Sequence, residues 1–158
     1  MTEYIYLKDE EVMYYVCDLN WHLPERIQKE AIQILSQLPP NKVDLLLSEY
    51  RKEYFKNAVS ILCKIGYPRN IKALPQLASL LEDRNVPGAL DAIELFRDLG
   101  KKISTPYIEI ECQKALQPLN EDWLEHLYFA CDSLGITEED FSDKNAYRIM
   151  KKEAEALF

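Results

Sequence analysis

A nine-residue segment closed by glycine occurs at 58–66 and again at 92–100, apolar on apolar, 34 residues apart. The first copy runs Ala58, Val59, Ser60, Ile61, Leu62, Cys63, Lys64, Ile65, Gly66. The second runs Ala92, Ile93, Glu94, Leu95, Phe96, Arg97, Asp98, Leu99, Gly100. Residues 127–135 continue the series at an offset of 35, and residues 31–39 precede it at an offset of 27, with Pro39 where the others carry glycine. Apolar spacings of three and four inside each copy make it an amphipathic helix. A helical unit repeating at that period cannot bury its apolar face alone and must stack on its neighbours, which is the signature of an all-α solenoid. Three of the four glycines in the chain close a copy, where a left-handed residue ends a helix without steric cost.

The intervening elements follow from the same periodicity. Residues 2–7 form an extended lead-in. Asp9, Glu10 and Glu11 suit the positive end of a first helix over 9–19, with Val12, Tyr15, Val16 and Leu19 inward. The second helix covers 24–38, begins at Pro24, buries Ile27, Ala31, Ile34, Leu35 and Leu38, and stops at Pro39 and Pro40. Asn41 caps a short third helix through Ser48, with Val43, Leu46 and Leu47 inward. The fourth, 52–65, buries Phe55, Ala58, Val59, Leu62 and Ile65. The fifth, 70–82, buries Ile71, Leu74, Leu77, Ala78 and Leu81. Residues 83–86 reverse the chain and Pro87 opens a sixth helix, which Gly100 ends. Ser104 or Thr105 caps a seventh, with Pro106 at its first position and Ile108, Ile110, Cys112, Ala115 and Leu116 as its stripe. Asn120 caps an eighth that runs to Leu134, residues 136–141 make a capped turn, and a last helix over 142–157 covers the end of the stack.

A chain of 158 residues accommodates one domain, 1–158, with a single core. No apolar run reaches the roughly 18 residues that cross a bilayer, and the first residues carry neither a basic leader nor a long apolar stretch, so a cytoplasmic location is expected. Cys17, Cys63, Cys112 and Cys131 lie far apart, each within a helical apolar pattern, which favours buried reduced thiols over two disulfides. The net charge is −8, from 27 acidic and 19 basic residues. Residues 51–102 hold 10 bases and 6 acids, whereas 103–158 hold 12 acids and 5 bases, so a basic middle lies between acidic ends.

Lys64-Ile65-Gly66, a proline two residues on, and then Leu74-Pro75-Gln76-Leu77 through Leu80, Leu81 and Asp83 resemble the junction between successive HEAT repeats. The match is good over about 52–100 and weaker on either side. Ile65 through Arg69, and the turn from Asp83 through Asn85 and Pro87 to Ala89, are similar to a group of small bacterial HEAT-like proteins. That group often has tryptophan before the turn proline, where this chain has Val86; Asn20 and Trp21 keep the pair in the first repeat. The resemblance implies a short right-handed α-solenoid of HEAT-like helical hairpins with a C-terminal capping helix, and bacterial origin. It implies no catalytic residues.

Residue chemistry adds little toward catalysis. His22 and His126 have no zinc-ligand spacing. Cys63 and Cys131 fall within packed helices, and the acidic surroundings of the eighth helix would raise a thiol pKa rather than activate it. The glycines are singletons, so no phosphate loop exists. No catalytic residue, metal or cofactor is therefore expected. Ten tyrosines, Tyr50 among them, fill helix–helix contacts with their hydroxyls at the rim or sit at interfaces.

In HEAT-like stacks the second helix of each hairpin lines the concave face where partners bind. On that face the fourth helix would show Asn57, Ser60 and Lys64. The sixth and eighth would show Asp91, Glu94, Asp98, Asp122, Glu125 and Asp132, with Phe129 as an apolar anchor among the carboxylates. The expected activity is non-enzymatic binding of another protein, a basic one, by a monomer or weak dimer that engages neither nucleic acid nor membrane. One concrete version is an immunity protein blocking a basic secreted toxin such as a nuclease. The alternatives are a HEAT-like nucleic-acid-binding or DNA-repair protein, for which only Lys52, Lys56, Lys64, Arg69 and Lys72 supply positive charge, and a general adaptor or scaffold.

Overall fold

The computed structural model describes residues 3–48 and 51–157; Thr2 of the lead-in and Tyr50 lie outside them. The described residues are all-α, with no strand among them. They fall into two compact units divided between Leu77 and Ala78.

The first unit contains α1 (Asp9–Cys17), α2 (Glu25–Leu35) and α3 (Lys52–Ile65), with a 3-10 helix at Pro40–Leu47 between α2 and α3. Its core is built from Val12, Val16, Leu19, Leu35, Phe55, Leu62 and Leu74, all at most 2% exposed. The lead-in is extended and the Ile5 amide donates to the Gln37 carbonyl at 2.8 Å. Helix α3 has the expected bounds and its whole stripe is buried. Helix α2 stops at Leu35, not Leu38, although Leu38 is buried in the turn that follows. The third helix buries Val43, Leu46 and Leu47 as expected, but in 3-10 geometry, entered from Pro39 and not capped by Asn41.

The expected fifth helix is broken into a 3-10 turn at Ile71–Ala73, α4 (Leu74–Ser79) and a second 3-10 turn at Leu80–Glu82. Pro75 is the cause. It has no N–H to give the Ile71 carbonyl, so the Leu74 amide takes that acceptor one residue early and tightens the turn. The tighter winding turns Ile71 outward, 44% exposed, while Leu74, Leu77, Ala78 and Leu81 stay buried.

The second unit carries α5 (Ala89–Leu99), α6 (Lys101–Leu116), α7 (Glu121–Leu134) and α8 (Lys144–Ala156). Pro87 does not open α5. Gly88 stands between them at φ 90°, a left-handed conformation that no right-handed helix continues through. Nor do Ser104 and Thr105 cap α6. Gly100 reverses the chain in one residue, α6 begins at Lys101, and the Ser104 hydroxyl donates to the Phe96 carbonyl of α5 at 2.7 Å. Pro106 therefore lies inside α6, where it has no N–H to give the Lys102 carbonyl, and both residues are exposed. The inner face of α6 is Ser104, Ile108, Glu111, Cys112 and Ala115, and Ile110 points to solvent.

Helix α7 begins and ends as expected. Asn120 Oδ1 accepts the Trp123 amide at 3.0 Å. Gly135 closes it in a Schellman motif, with the Ile136 amide on Cys131 O at 2.9 Å and the Gly135 amide on Asp132 O at 3.2 Å. Thr137 and Asp140 form the reciprocal cap of the following turn, and Asp143 Oδ1 caps α8 through the Ala146 amide at 3.0 Å.

Within each unit, several long-range hydrogen bonds span 31 to 36 residues. In the first, Asp9 pairs with Lys42, 33 residues on, and Lys72 Nζ donates to Asn41 O across 31. In the second, Arg97 donates to Ser133 O across 36, Lys101 to Gly135 O across 34, and the Ser142 and Asp143 amides to the Glu109 carboxylate across 33 and 34. No helix among the described residues is long and apolar enough to cross a membrane.

Candidate functional site

The seven residues expected to form a binding face all lie in the second unit. Asp91, Glu94 and Asp98 are exposed along α5; Asp122, Glu125, Phe129 and Asp132 follow one side of α7. The two helices touch and run in the same direction. Arg84, just before α5, reaches Glu125 in α7, and Arg97 in the last turn of α5 donates to Ser133 O in the last turn of α7 at 2.8 Å.

The carboxylates are not equivalent. Asp91, Asp98, Asp122 and Asp132 have no ion pair or hydrogen bond among the described residues. Glu94 is paired with Arg97. Glu125 is the most enclosed, its side chain 12% exposed, and Arg84 Nη1 stands 2.6 Å from its Oε2. The same guanidinium lies over the Phe129 ring, 4.5 Å from its centroid. Phe129 remains 37% exposed, so the expected anchor is half covered by an arginine of its own chain, and Glu125 acts within the fold. Asn57, expected on the corresponding face of α3, is likewise engaged internally, donating to Leu19 O at 2.8 Å and Gln28 Oε1 at 2.9 Å.

His126 completes the Arg84 cluster. Its Nδ1 accepts the Arg84 backbone N–H at 3.2 Å, which assigns the ring proton to Nε2, and Nε2 faces Asp83 Oδ1 at 3.6 Å. Asp83 also accepts the Asn85 amide at 2.9 Å, holding the turn. Arg84, His126 and Asp83 thus fix the 83–88 turn to α7.

No protein-family model, curated protein or solved structure matches the chain. What the face can do is read from its own groups.

Sequence periodicity missed two of its features. Leu90 stands exposed on α5 next to Asp91, and a cavity of about 260 Å³ opens beside Phe129, lined also by Arg84, Glu125, Tyr128 and Asp132, and by Ala154 and Glu155 of α8. Leu90 fell outside the repeat stripe and could have been found as an apolar residue on the polar side of α5. The α8 residues could not, because nothing local pairs α8 with α7.

Burial, and then Cys112, Asp132 and Asp140, push the Cys131 thiol well above its usual range, and burial followed by Glu109 and Asp143 lifts Cys112 to about 12. Burial raises the Tyr147 hydroxyl to about 12, and it donates to Ile136 O at 3.3 Å. All three groups are held in their neutral forms. Cys17 and Cys63 differ from expectation in being exposed; each lies on the outer side of its helix, next to a buried neighbour (Val16, Leu62). No group of three or more metal-ligating side chains occurs among the described residues.

Proposed function

We propose that the chain is a non-enzymatic, protein-binding α-solenoid of HEAT-like hairpins, and that the acidic face of α5 and α7 docks a basic protein. The solenoid reading is supported by hydrogen bonds that span 31 residues in the first unit and 34 in the second, since stacked repeats touch their neighbours at about one repeat's distance. The observation that carries the binding reading is the set Asp91, Asp98, Asp122 and Asp132. They are unpaired carboxylates on two adjoining helices, beside the exposed apolar side chains of Leu90 and Phe129. Unpaired acids around apolar anchors suit an interface with a charged rim and a dry centre. Its field accelerates encounter with a basic surface more than it slows release. The concrete form is an immunity-type protein, whose carboxylates occlude the basic cleft of a secreted nuclease.

The test is association kinetics with a basic partner captured from the native cell, before and after Asp98→Lys and Asp122→Lys. Both residues are exposed and unpaired, so the variant should fold. The double reversal is expected to slow association at least tenfold at low salt, with a difference that shrinks as salt rises. Equal rates at every salt concentration would defeat the acidic-face reading. If the captured partner is a nuclease, stoichiometric loss of its activity marks the immunity form, and an unchanged nuclease rules that form out.

A further inference from the structure

The cavity between α7 and α8 is too small for most ligand sites and lined by the wrong residues for a purely apolar one. At about 260 Å³ it falls below the roughly 300–1,000 Å³ of typical small-molecule pockets, which leaves room for one long side chain. Its lining is Arg84 from the turn before α5, Glu125, Tyr128, Phe129 and Asp132 from α7, and Ala154 and Glu155 from α8. Arg84 is paired with Glu125, which leaves the charges of Asp132 and Glu155 in excess. Ala154 is 2% exposed, and its lack of a longer side chain leaves the space opposite the aromatics open.

We propose that this cavity receives an arginine side chain of the basic partner, its guanidinium held between Tyr128 and the carboxylates of Asp132 and Glu155, beside the Arg84–Glu125 pair. The inference rests on the acidic-face reading given above and adds which side chain is read and where. The molecule already displays this recognition within the same cavity. Arg84 places its guanidinium 4.5 Å from the Phe129 ring centre and 2.6 Å from Glu125, using one aromatic and one carboxylate. The second set, Tyr128 with Asp132 and Glu155, has the same composition. Asp132 has no partner among the described residues, and Glu155 has only Lys151, at 4.0 Å across an exposed helix turn. Arginine is favoured over lysine because a planar, weakly hydrated guanidinium stacks on an aromatic side chain and still donates in its plane to two carboxylates.

The experiment uses amide-shift titration by NMR with three probes: acetyl-arginine amide, acetyl-lysine amide and acetyl-citrulline amide. The expected result is saturable movement confined to residues 128–132 and 154–155 for the arginine probe. The lysine probe should bind at least threefold more weakly, and the citrulline probe, which has the shape without the charge, should give no saturable response. Asp132→Asn combined with Glu155→Gln, both at exposed positions, should weaken arginine binding at least tenfold. Equal response to arginine and lysine, movement elsewhere, or no loss in the double variant overturns the proposal. The two readings separate cleanly. Asp98→Lys with Asp122→Lys lies outside the cavity and should leave the arginine titration unchanged while slowing the whole partner. A partner slowed by that pair, with no arginine preference in the cavity, sinks this inference alone.

Discussion

The guanidinium of Arg84 lies over the ring of Phe129, 4.5 Å from its centroid, and the same group reaches Glu125 at 2.6 Å. An arginine from the turn before α5 therefore decides how much of an aromatic on α7 faces solvent. It also explains why an enclosed carboxylate is tolerated at Glu125, since a charge leaving water needs a hydrogen-bonded partner.

Arg84→Met should cost about 1–3 kcal/mol of unfolding free energy, because Glu125 keeps its enclosure and loses its donor. Methionine keeps an unbranched side chain of similar length at this position, and the Arg84 backbone N–H bond to His126 Nδ1 survives the change. Glu125→Gln alone should cost less than Arg84→Met, since glutamine still offers the guanidinium an acceptor. Urea unfolding of both single variants and the double variant would give the coupling. Additive losses would mean that the pair contributes nothing to the turn.

Three helix-closing glycines share a role but not a conformation. Gly135 is left-handed at φ 71°, ψ 21°, whereas Gly66 and Gly100 sit at φ 78°, ψ 163° and φ 89°, ψ 158°. A Cβ would meet nothing within 4 Å at any of the three, so any penalty is backbone strain and not a clash. Asparagine tolerates the left-handed region, while the region of Gly100 is essentially closed to side chains. Gly135→Asn should therefore be nearly neutral and Gly100→Asn should cost about 1–3 kcal/mol. Thermal unfolding of the two variants measures the difference, and equal losses would contradict the conformational assignment.

The helix-closing glycines are also where the fold was most legible. Bounds of α3 and α7 and the Asn120 cap could be read from local signals, because each signal acts within one turn of the helix. Prolines misled where their effect depends on what precedes them. Pro106 reads as a first helical residue until α6 is seen to start at Lys101, five residues earlier. Pro75 tightens the winding before it and so turns Ile71 outward. The acidic positions on α5 and α7 could be placed by helical phase, but phase cannot say which carboxylate is already paired. Arg84 lies 41 residues from Glu125, and no period in the sequence links them.

Two thiols should react quickly with an aromatic disulfide reagent and two should not. Cys17 and Cys63 are exposed, whereas Cys112 and Cys131 are buried and held as neutral thiols. The thiolate is the reactive form, so the buried pair should label only as the second unit unfolds. Labelling followed by peptide mapping across a urea series would assign the phases. Early modification of Cys131 would show that α7 opens far below the global transition.

Glu111 sits on the inner face of α6 at 2% exposure, with Lys114 Nζ at 3.4 Å from Oε1. Burial raises its pKa above the usual carboxylate value; Lys114 opposes the shift and Glu82 adds to it. A folded pKa above the unfolded one means that the native state holds the proton more tightly. The stability this contributes is complete below about pH 4.5, the ordinary value, and is lost as pH rises through the folded value. Glu138, Asp140 and Asp143 shift the other way, lowered chiefly by Arg148, by the Thr137 amide and by the Ala146 amide respectively, so what they contribute is lost in acid. Comparing Glu111→Gln with the parent cancels those groups. The glutamine side chain stays neutral at every pH, so the variant should gain stability relative to the parent between pH 4.5 and pH 7. Urea unfolding at the two pH values reads that gain directly. A difference independent of pH would mean that Glu111 is as well solvated in the fold as in the unfolded chain.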